Sequence, residues 1–401
     1  MSGSINNEVK MADLKVFCEG IDDSALKQIL DLARFEAYKD SKIRIMPDAH
    51  AGIGCTIGTT MTLRDKATPN LVGVDIGCGM IVAELGKVFV DPIKLEHLIE
   101  RDVPSGMNVR SKEVTETAEG LALVDSLRCP CGRRDYNALS VGTLGGGNHF
   151  IELDEDDEGN MYLVIHSGSR NLGKKVCDHY QRLAEKERYY AGQGVVAELI
   201  ARLKAEGRAK DIQAELKKLP RQFGTRDPLA YLDGKSFEDY IHDMSLCQQF
   251  AELNRRTMVR VITEGMGLQP ISVWQTIHNY IDIEHMILRK GSISAQKGER
   301  VIIPMNMRDG SLFCIGKGNP EWNYSAPHGA GRLMSRSDAF KLIDMKDFKR
   351  DMDGIASWSV CDSTKDEAPG AYKPMESILA QIRPTVDVER IIRPVYNYKA
   401  H

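Results

Sequence analysis

Hydrophobic positions follow two spacings along the chain. From Asp22 to Asp40, Leu26, Ile29, Leu30, Leu32 and Ala33 recur near a 3.6-residue period, which predicts an amphipathic helix. The pattern also predicts helices over Lys174–Ala191 and Phe237–Glu264. Lys42–Met46 reads as a short apolar strand running into Pro47-Asp48-Ala49-His50, and Leu71–Val74 as another that delivers Asp75 into a turn. Ile151–Leu153 and Met161–Ile165 predict a hairpin connected by the acidic, glycine-containing stretch Asp154–Asn160. Arg300–Pro304 and Leu312–Ile315 predict strands around the turn Arg308-Asp309-Gly310. Residues 192–225, charged and with helical spacing in Leu199, Ile200, Leu203, Ile212 and Leu216, read as a surface helical excursion. Strands and helices do not alternate regularly enough for a barrel or a dinucleotide-binding sheet, and no linker or repeat divides the chain. A single α+β domain over 1–401 with one central site is the economical reading.

Composition narrows the class without choosing a function. No apolar run reaches the roughly 18 residues needed to span a bilayer, and Met1–Met11 lacks a signal-peptide core. A cytoplasmic protein without a membrane partner is expected. Nine cysteines, an odd number over a long chain, argue for reduced thiols and against a disulfide framework. With a net charge of −4, any polyanion must be held by a local basic cleft.

The chemistry concentrates in glycine-rich segments. In Asp75-Ile76-Gly77-Cys78-Gly79 a carboxylate and a thiol sit three apart, and Gly73, Gly77 and Gly79 let the backbone wrap closely around an ion. An isolated Asp-x-x-Cys is more often a capped turn with a buried cysteine. Histidines in Asn148-His149, Ile165-His166-Ser167-Gly168, Ile277-His278-Asn279 and Pro327-His328-Gly329 shift the balance to a Mn²⁺ or Zn²⁺ centre. The stretch Gly142–Glu152 lacks the Gly-Lys-Ser/Thr ending of a phosphate loop. If a strand starts at Asn148, Asn148 and Glu152 share one face and His149 takes the other. Arg170, beyond His166, offers a planar fork for phosphate oxygens. His328, hemmed by small residues with Arg332 four later, reads as a nucleophile for phosphorus or as another metal ligand. His97, His179 and His242 fall in amphipathic helices, His285 and His401 lack evident partners, and Cys129-Pro130-Cys131 is too isolated for a zinc site.

Together, Pro47–Gly52, Val72–Met80, Gly142–Glu152, His166–Arg170, His278-Asn279-Tyr280 and His328–Arg332 resemble the RtcB family of RNA ligases, in the same order, from about Asp48 to Lys399. The resemblance implies a family-specific α+β fold around a central cleft. It implies a GTP- and Mn²⁺-dependent ligase that joins an RNA 3′-phosphate or 2′,3′-cyclic phosphate end to a 5′-hydroxyl end, in RNA repair or tRNA splicing. By the same resemblance, Asp75, Cys78, His149, His166 and His278 would hold two Mn²⁺ ions, with Cys78 bridging. His328 would carry GMP. Asn148, Glu152, Tyr372 and Lys399 would line the guanylate pocket, and Gly331 and Arg332 would hold its phosphate region. Asp48 and Arg170 would face the RNA ends, and an activating partner such as archease is compatible with this reading. One departure stands out. After Ile302-Ile303-Pro304 the family commonly carries Gly-Ser-Met, whereas this chain has Met305-Asn306-Met307-Arg308. Asn306 would take the place of the serine beside the nucleotide, with Ser311 further along. The departure points to a divergent repair branch. It also supports an alternative, a metal-dependent RNA end phosphatase or cyclic phosphodiesterase without ligation.

Overall fold

The computed structural model describes residues 11–130, 132–219 and 224–400. Two large sheets organise them. One has seven strands in the order Arg300–Asn306, Gly310–Gly316, Val386–Lys399, Phe150–Glu155, Met161–Ser167, Gly79–Gly86 and Ser272–Ile277, all antiparallel. The other has five, in the order Asp13–Val16, Lys42–His50, Ile57–Thr62, Ile287–Lys290 and Asn279–Asp282. Its one parallel pair joins Asp13–Val16 to Lys42–His50. The architecture is α+β, as the sequence predicts.

The helix Gly234–Met266 links the two layers. Met258, Val259 and Ile262 pack on Ile81, Ala83, Ile151, Leu153, Leu163 and Ile165, which alternate along one face of the seven-stranded sheet. Earlier in the same helix, Tyr240, Met244, Cys247 and Phe250 join the core that contains Ile43, Ile45, Met61 and Leu288 of the five-stranded sheet. The opposite face of the seven-stranded sheet carries Met80, Val82, Phe150, Tyr162, Val164 and Phe313. That face leads to the site.

Several predicted elements differ in the structure. Residues 71–74 do not form a strand: Pro69–Val72 is a short helix, favoured by proline at its first position, followed by a turn at Gly73. The first helix covers only Asp23–Ala33, capped by the Asp22 carboxylate on the Ala25 N–H, and Glu36–Tyr38 is a separate 3₁₀ turn. The helix expected over Lys174–Ala191 runs from Arg170 to Ala205, straight through Gly192 and Gly194. Within 192–219, Leu203 alone is buried, so most of the predicted excursion is solvent-facing among the described residues. No helix among them is long and apolar enough to cross a membrane.

Gly79 sits where three strands meet, opposite both Ser167 and Ile277. A Cβ there would lie 2.1 Å from the Thr276 carbonyl oxygen and 2.9 Å from Ile277 Cα. Gly79→Ala should therefore force the strands apart and cost about 3 kcal/mol or more, read as a fall in the thermal unfolding midpoint.

Candidate active site

Strand register brings the sulfur and the imidazoles together. Met80 and Phe150 both pair with His166, and the His278 N–H donates to the Cys78 carbonyl at 2.9 Å. Cys78, His149 and His278 each stand one residue beyond a strand end, around His166. Cys78 Sγ is 3.4 Å from His149 Nε2 and 3.3 Å from His166 Nε2. Asp75 Oδ2 is 3.1 Å from His149 Nε2, and His166 Nε2 is 3.3 Å from His278 Nε2. All five expected metal ligands converge.

Backbone carbonyls choose the tautomers of two of these imidazoles. His149 Nδ1–H donates to the Leu144 carbonyl at 2.8 Å, and His166 Nδ1–H to the Asn148 carbonyl at 3.1 Å. Each ring therefore turns the Nε2 lone pair inward. Lone pairs, a carboxylate oxygen and a sulfur facing one another repel unless a cation lies among them. The donor set fits a metal ion of borderline softness, with Cys78, His149 and His166 the tightest group. Burial pushes His166 and His278 well below the usual histidine range, which keeps them neutral ligands. Burial, then the charge of Asp75, pushes the Cys78 thiol up, a shift that a bound cation reverses. Burial acts to raise the Asp75 carboxyl, whereas a proton on His149 Nε2 would hold it at about 2, and a cation in that place acts in the same direction.

Beside this centre lies a cavity of about 290 Å³. Asn148, Phe150 and Glu152 line one wall, and His328, Gly331, Arg332, Tyr372, Glu367 and Lys399 line others. The strand begins at Phe150, not Asn148, yet the expected alternation holds: Asn148 and Glu152 face the cavity while His149 turns to Cys78 and Asp75. Asn397 donates to Glu152 Oε1 at 2.5 Å. Glu367 gathers the cations of the far wall. It accepts from Lys399 at 3.0 Å, Tyr372 at 2.7 Å and Arg336 at 2.6 Å, with Arg332 at 3.5 Å. Burial works against its ionisation, but Lys399, Arg336 and Tyr372 hold it at about 2.

His328 joins the two regions, with its ring centroid 4.8 Å from that of His278. Asp48 Oδ2 accepts from the His328 backbone N–H at 3.1 Å and from ring Nδ1 at 2.7 Å. Nε2 takes no part in this contact. Asp48, expected to face RNA ends, is fully buried and acts on His328. Ser311, expected beside the nucleotide, is buried opposite Pro304 and does not line the cavity. Asn306 does line it, but its side chain closes a local turn, donating to Asp309 and accepting from the Arg308 and Asp309 N–H groups. Arg170 lies beside the metal centre, bonded to Thr143 Oγ1 at 3.1 Å and the Gly106 carbonyl at 2.7 Å. His285, read as partnerless, bonds Asp282 at 3.1 Å. Cys129 is buried, while Cys131 and His401 lie outside the described residues.

Sequence reasoning missed several supports. Arg255, fully buried, donates to the Gly77 carbonyl at 2.8 Å, the Ser167 carbonyl at 2.9 Å and Gln275 Oε1 at 3.0 Å. Asn254 spans the Thr143 N–H, Ser167 Oγ and the Gly168 carbonyl. Asn279 holds the Asp75 carbonyl at 3.2 Å. A charged residue at 255 on the apolar stripe of Ala251, Met258 and Ile262 was the available signal for Arg255.

A Cβ on Gly168 would lie 2.3 Å from Asp75 Oδ1. Gly168→Ala should displace that carboxylate while sparing the fold. The expected outcome is at least ten-fold weaker metal binding in a Mn²⁺ titration, with an unchanged circular dichroism spectrum.

Comparison with known proteins finds relatives along nearly the whole chain. A family model described as tRNA-splicing ligase RtcB matches residues 28–126 and 122–400. The chain is 30% identical to the RNA-splicing ligase RtcB of Escherichia coli K12, over 96% of both chains. It is 26% identical to the tRNA-splicing ligase RtcB of Aeropyrum pernix, over 93% of this chain and 91% of the relative. It is also 26% identical to an Escherichia coli RNA-splicing ligase RtcB2, over 83% and 81%. Near-complete coverage by the family model, with 30% identity over 96% of the chain, establishes that this chain belongs to the RtcB family.

Proposed function

We propose that this chain is an RNA ligase that uses GTP and a covalent His328–GMP intermediate to join an RNA 3′-phosphate or 2′,3′-cyclic phosphate end to a 5′-hydroxyl end. The observation that carries this reading is the Asp48–His328 pair, which holds the imidazole through Nδ1 and leaves Nε2 for a substrate beside a cavity of nucleotide-binding character. Relatives named RNA- and tRNA-splicing ligases support the reaction class.

In this reading His328 Nε2 attacks the α-phosphorus of GTP. An N–P bond forms, the bond to the bridging oxygen breaks, and pyrophosphate leaves. Asp48 holds the ring through Nδ1 and stabilises the positive charge that develops on it. GMP then passes to an RNA 3′-phosphate oxygen, which restores the imidazole. The 5′-hydroxyl attacks that activated phosphate and expels GMP; a cyclic end is first opened by water. Asp75, Cys78, His149, His166 and His278 would hold two Mn²⁺ ions, whose chemistry is to neutralise phosphate charge. Glu152 and Asn148 would meet the base, and Lys399, Tyr372 and Arg332 the rest of the nucleotide. The Asn306 side chain is used in its own turn, so this reading assigns it no contact with the nucleotide.

His328→Ala should abolish acid-labile label from α-labelled GTP while keeping wild-type Mn²⁺ content. Label retained in that variant, or mapped to another residue, sinks the assignment.

Glu152 gives a second test. Burial pushes its carboxyl up to about 7, against the charge of Lys399 and the hydrogen bond from Asn397. The N–H groups of a bound guanine favour the charged form. Binding is then weak where Glu152 is protonated and strengthens as pH rises through 7. GTP affinity should rise about ten-fold from pH 6 to pH 8 by proton linkage. Glu152→Gln should lose that part of the pH dependence; an identical profile would remove Glu152 from base recognition.

A further inference from the structure

The metal centre opens to solvent at Asp75, whose side chain is 32% exposed. Beside the opening lies a surface that the proposed chemistry does not use. Met107 is 90% exposed, an unusual position for so apolar a side chain. It does not sit on a loose loop. Pro104 accepts from the Leu144 N–H at 2.9 Å, Gly106 donates to Gly145 at 2.9 Å, and Arg110 donates to the Leu139 carbonyl at 3.0 Å. The Arg110 guanidinium adds bonds to the Val141 and Gly142 carbonyls, at 3.0 and 2.7 Å. The loop is pinned to the glycine-rich segment that orients His149.

Tyr136 stands next to Met107 and donates to its carbonyl at 2.8 Å. Exposed Arg133 lies over the Tyr136 ring, 4.1 Å from the centroid, and takes part in no ion pair among the described residues. Its φ of 48° is a left-handed conformation that costs energy in a non-glycine residue. Arg170 carries the connection inward. It has a φ of 58° and bonds the Gly106 carbonyl at 2.7 Å. Asp75, then Tyr136, are the largest influences that oppose the effect of burial on its guanidinium. Metal centre, Arg170, Met107 and the Arg133–Tyr136 stack are therefore contiguous.

An apolar side chain, an aromatic ring and an unpaired cation on a rigid loop match single-stranded nucleic acid, which offers π-faces for stacking and phosphates for the cations. We propose that Met107 and the Arg133–Tyr136 stack form a platform for a nucleobase of the RNA strand next to the reacting end, with Arg170 holding the intervening phosphate. The proposal rests on the ligase reading and adds to it a base-stacking subsite.

The test is fluorescence anisotropy of the full chain with Mn²⁺ and short RNAs ending in a 3′-phosphate or a 5′-hydroxyl. Abasic residues are placed in turn at the four nucleotides nearest the end. Met107→Ala, Arg133→Ala and Tyr136→Ala should each weaken binding of at least one RNA by about ten-fold, the scale of a lost base stack. Tyr136→Phe should bind as the wild type does. One abasic position should cost the wild type a similar factor and cost Tyr136→Ala nothing further. Should Tyr136→Ala fail to fold, exposed Met107 and Arg133 carry the same comparison. Unchanged RNA affinity in Met107→Ala and Arg133→Ala, or a wild type indifferent to every abasic position, overturns the platform and leaves the surface to a protein partner. Labelling with GTP, measured alongside, should be unaffected in all variants. A wild type that binds RNA but takes no GMP counts against the ligase reading and leaves the stacking result legible on its own.

Discussion

One buried guanidinium holds the site in register. Arg255 reaches from the long helix to the turn before the Gly79 strand, the end of the His166 strand and a side chain of the Ser272–Ile277 strand. The Gly77 carbonyl lies before its strand begins and the Ser167 carbonyl at the last residue of its strand, where a side-chain donor can serve them. Arg255 does so. Burial lowers it to about 10, opposed by Cys78, Glu252 and Asp75, and it stays charged at neutral pH. The anionic ligands thus stabilise the cation that positions them. Losing either side leaves buried charge without compensation.

The cavity is organised on the opposite sign. Here a carboxylate, Glu367, sits among Arg332, Arg336, Lys399 and Tyr372. It spaces three cations that would otherwise repel one another in a small volume. Asp48 serves His328 in a similar way, from a wholly different sheet. His328, Lys399 and Arg336 are therefore each fixed by a buried carboxylate.

The ligands were legible because each lies in a local signature: glycines around Asp75 and Cys78, histidines just beyond or within apolar strands. The side of the strand taken by His149 followed from alternation alone. What stayed hidden was long-range. Leu71–Val74 is apolar enough for a strand, and only Pro69 and Gly73 hinted at a helical turn instead. Asp48 and His328 are 280 residues apart, and no periodicity pairs them. Glu367 lies in a 3₁₀ segment where neither spacing nor composition marks a hub. Arg255 also went unread, although its charge on an apolar stripe was a local signal.

The distribution of the ligands along the chain has a consequence for how the protein matures. Asp75, Cys78, His149, His166 and His278 become neighbours only when strands from distant parts of the chain have zipped together. A nascent chain that ends before residue 278 has no complete site to offer. Forming these contacts means closing long loops, which is slow relative to helix formation. An ion that binds only the finished arrangement then adds its binding free energy to the native state by mass action. A cation held by these five residues would thereby couple metal supply to folding yield and leave the unliganded protein less stable.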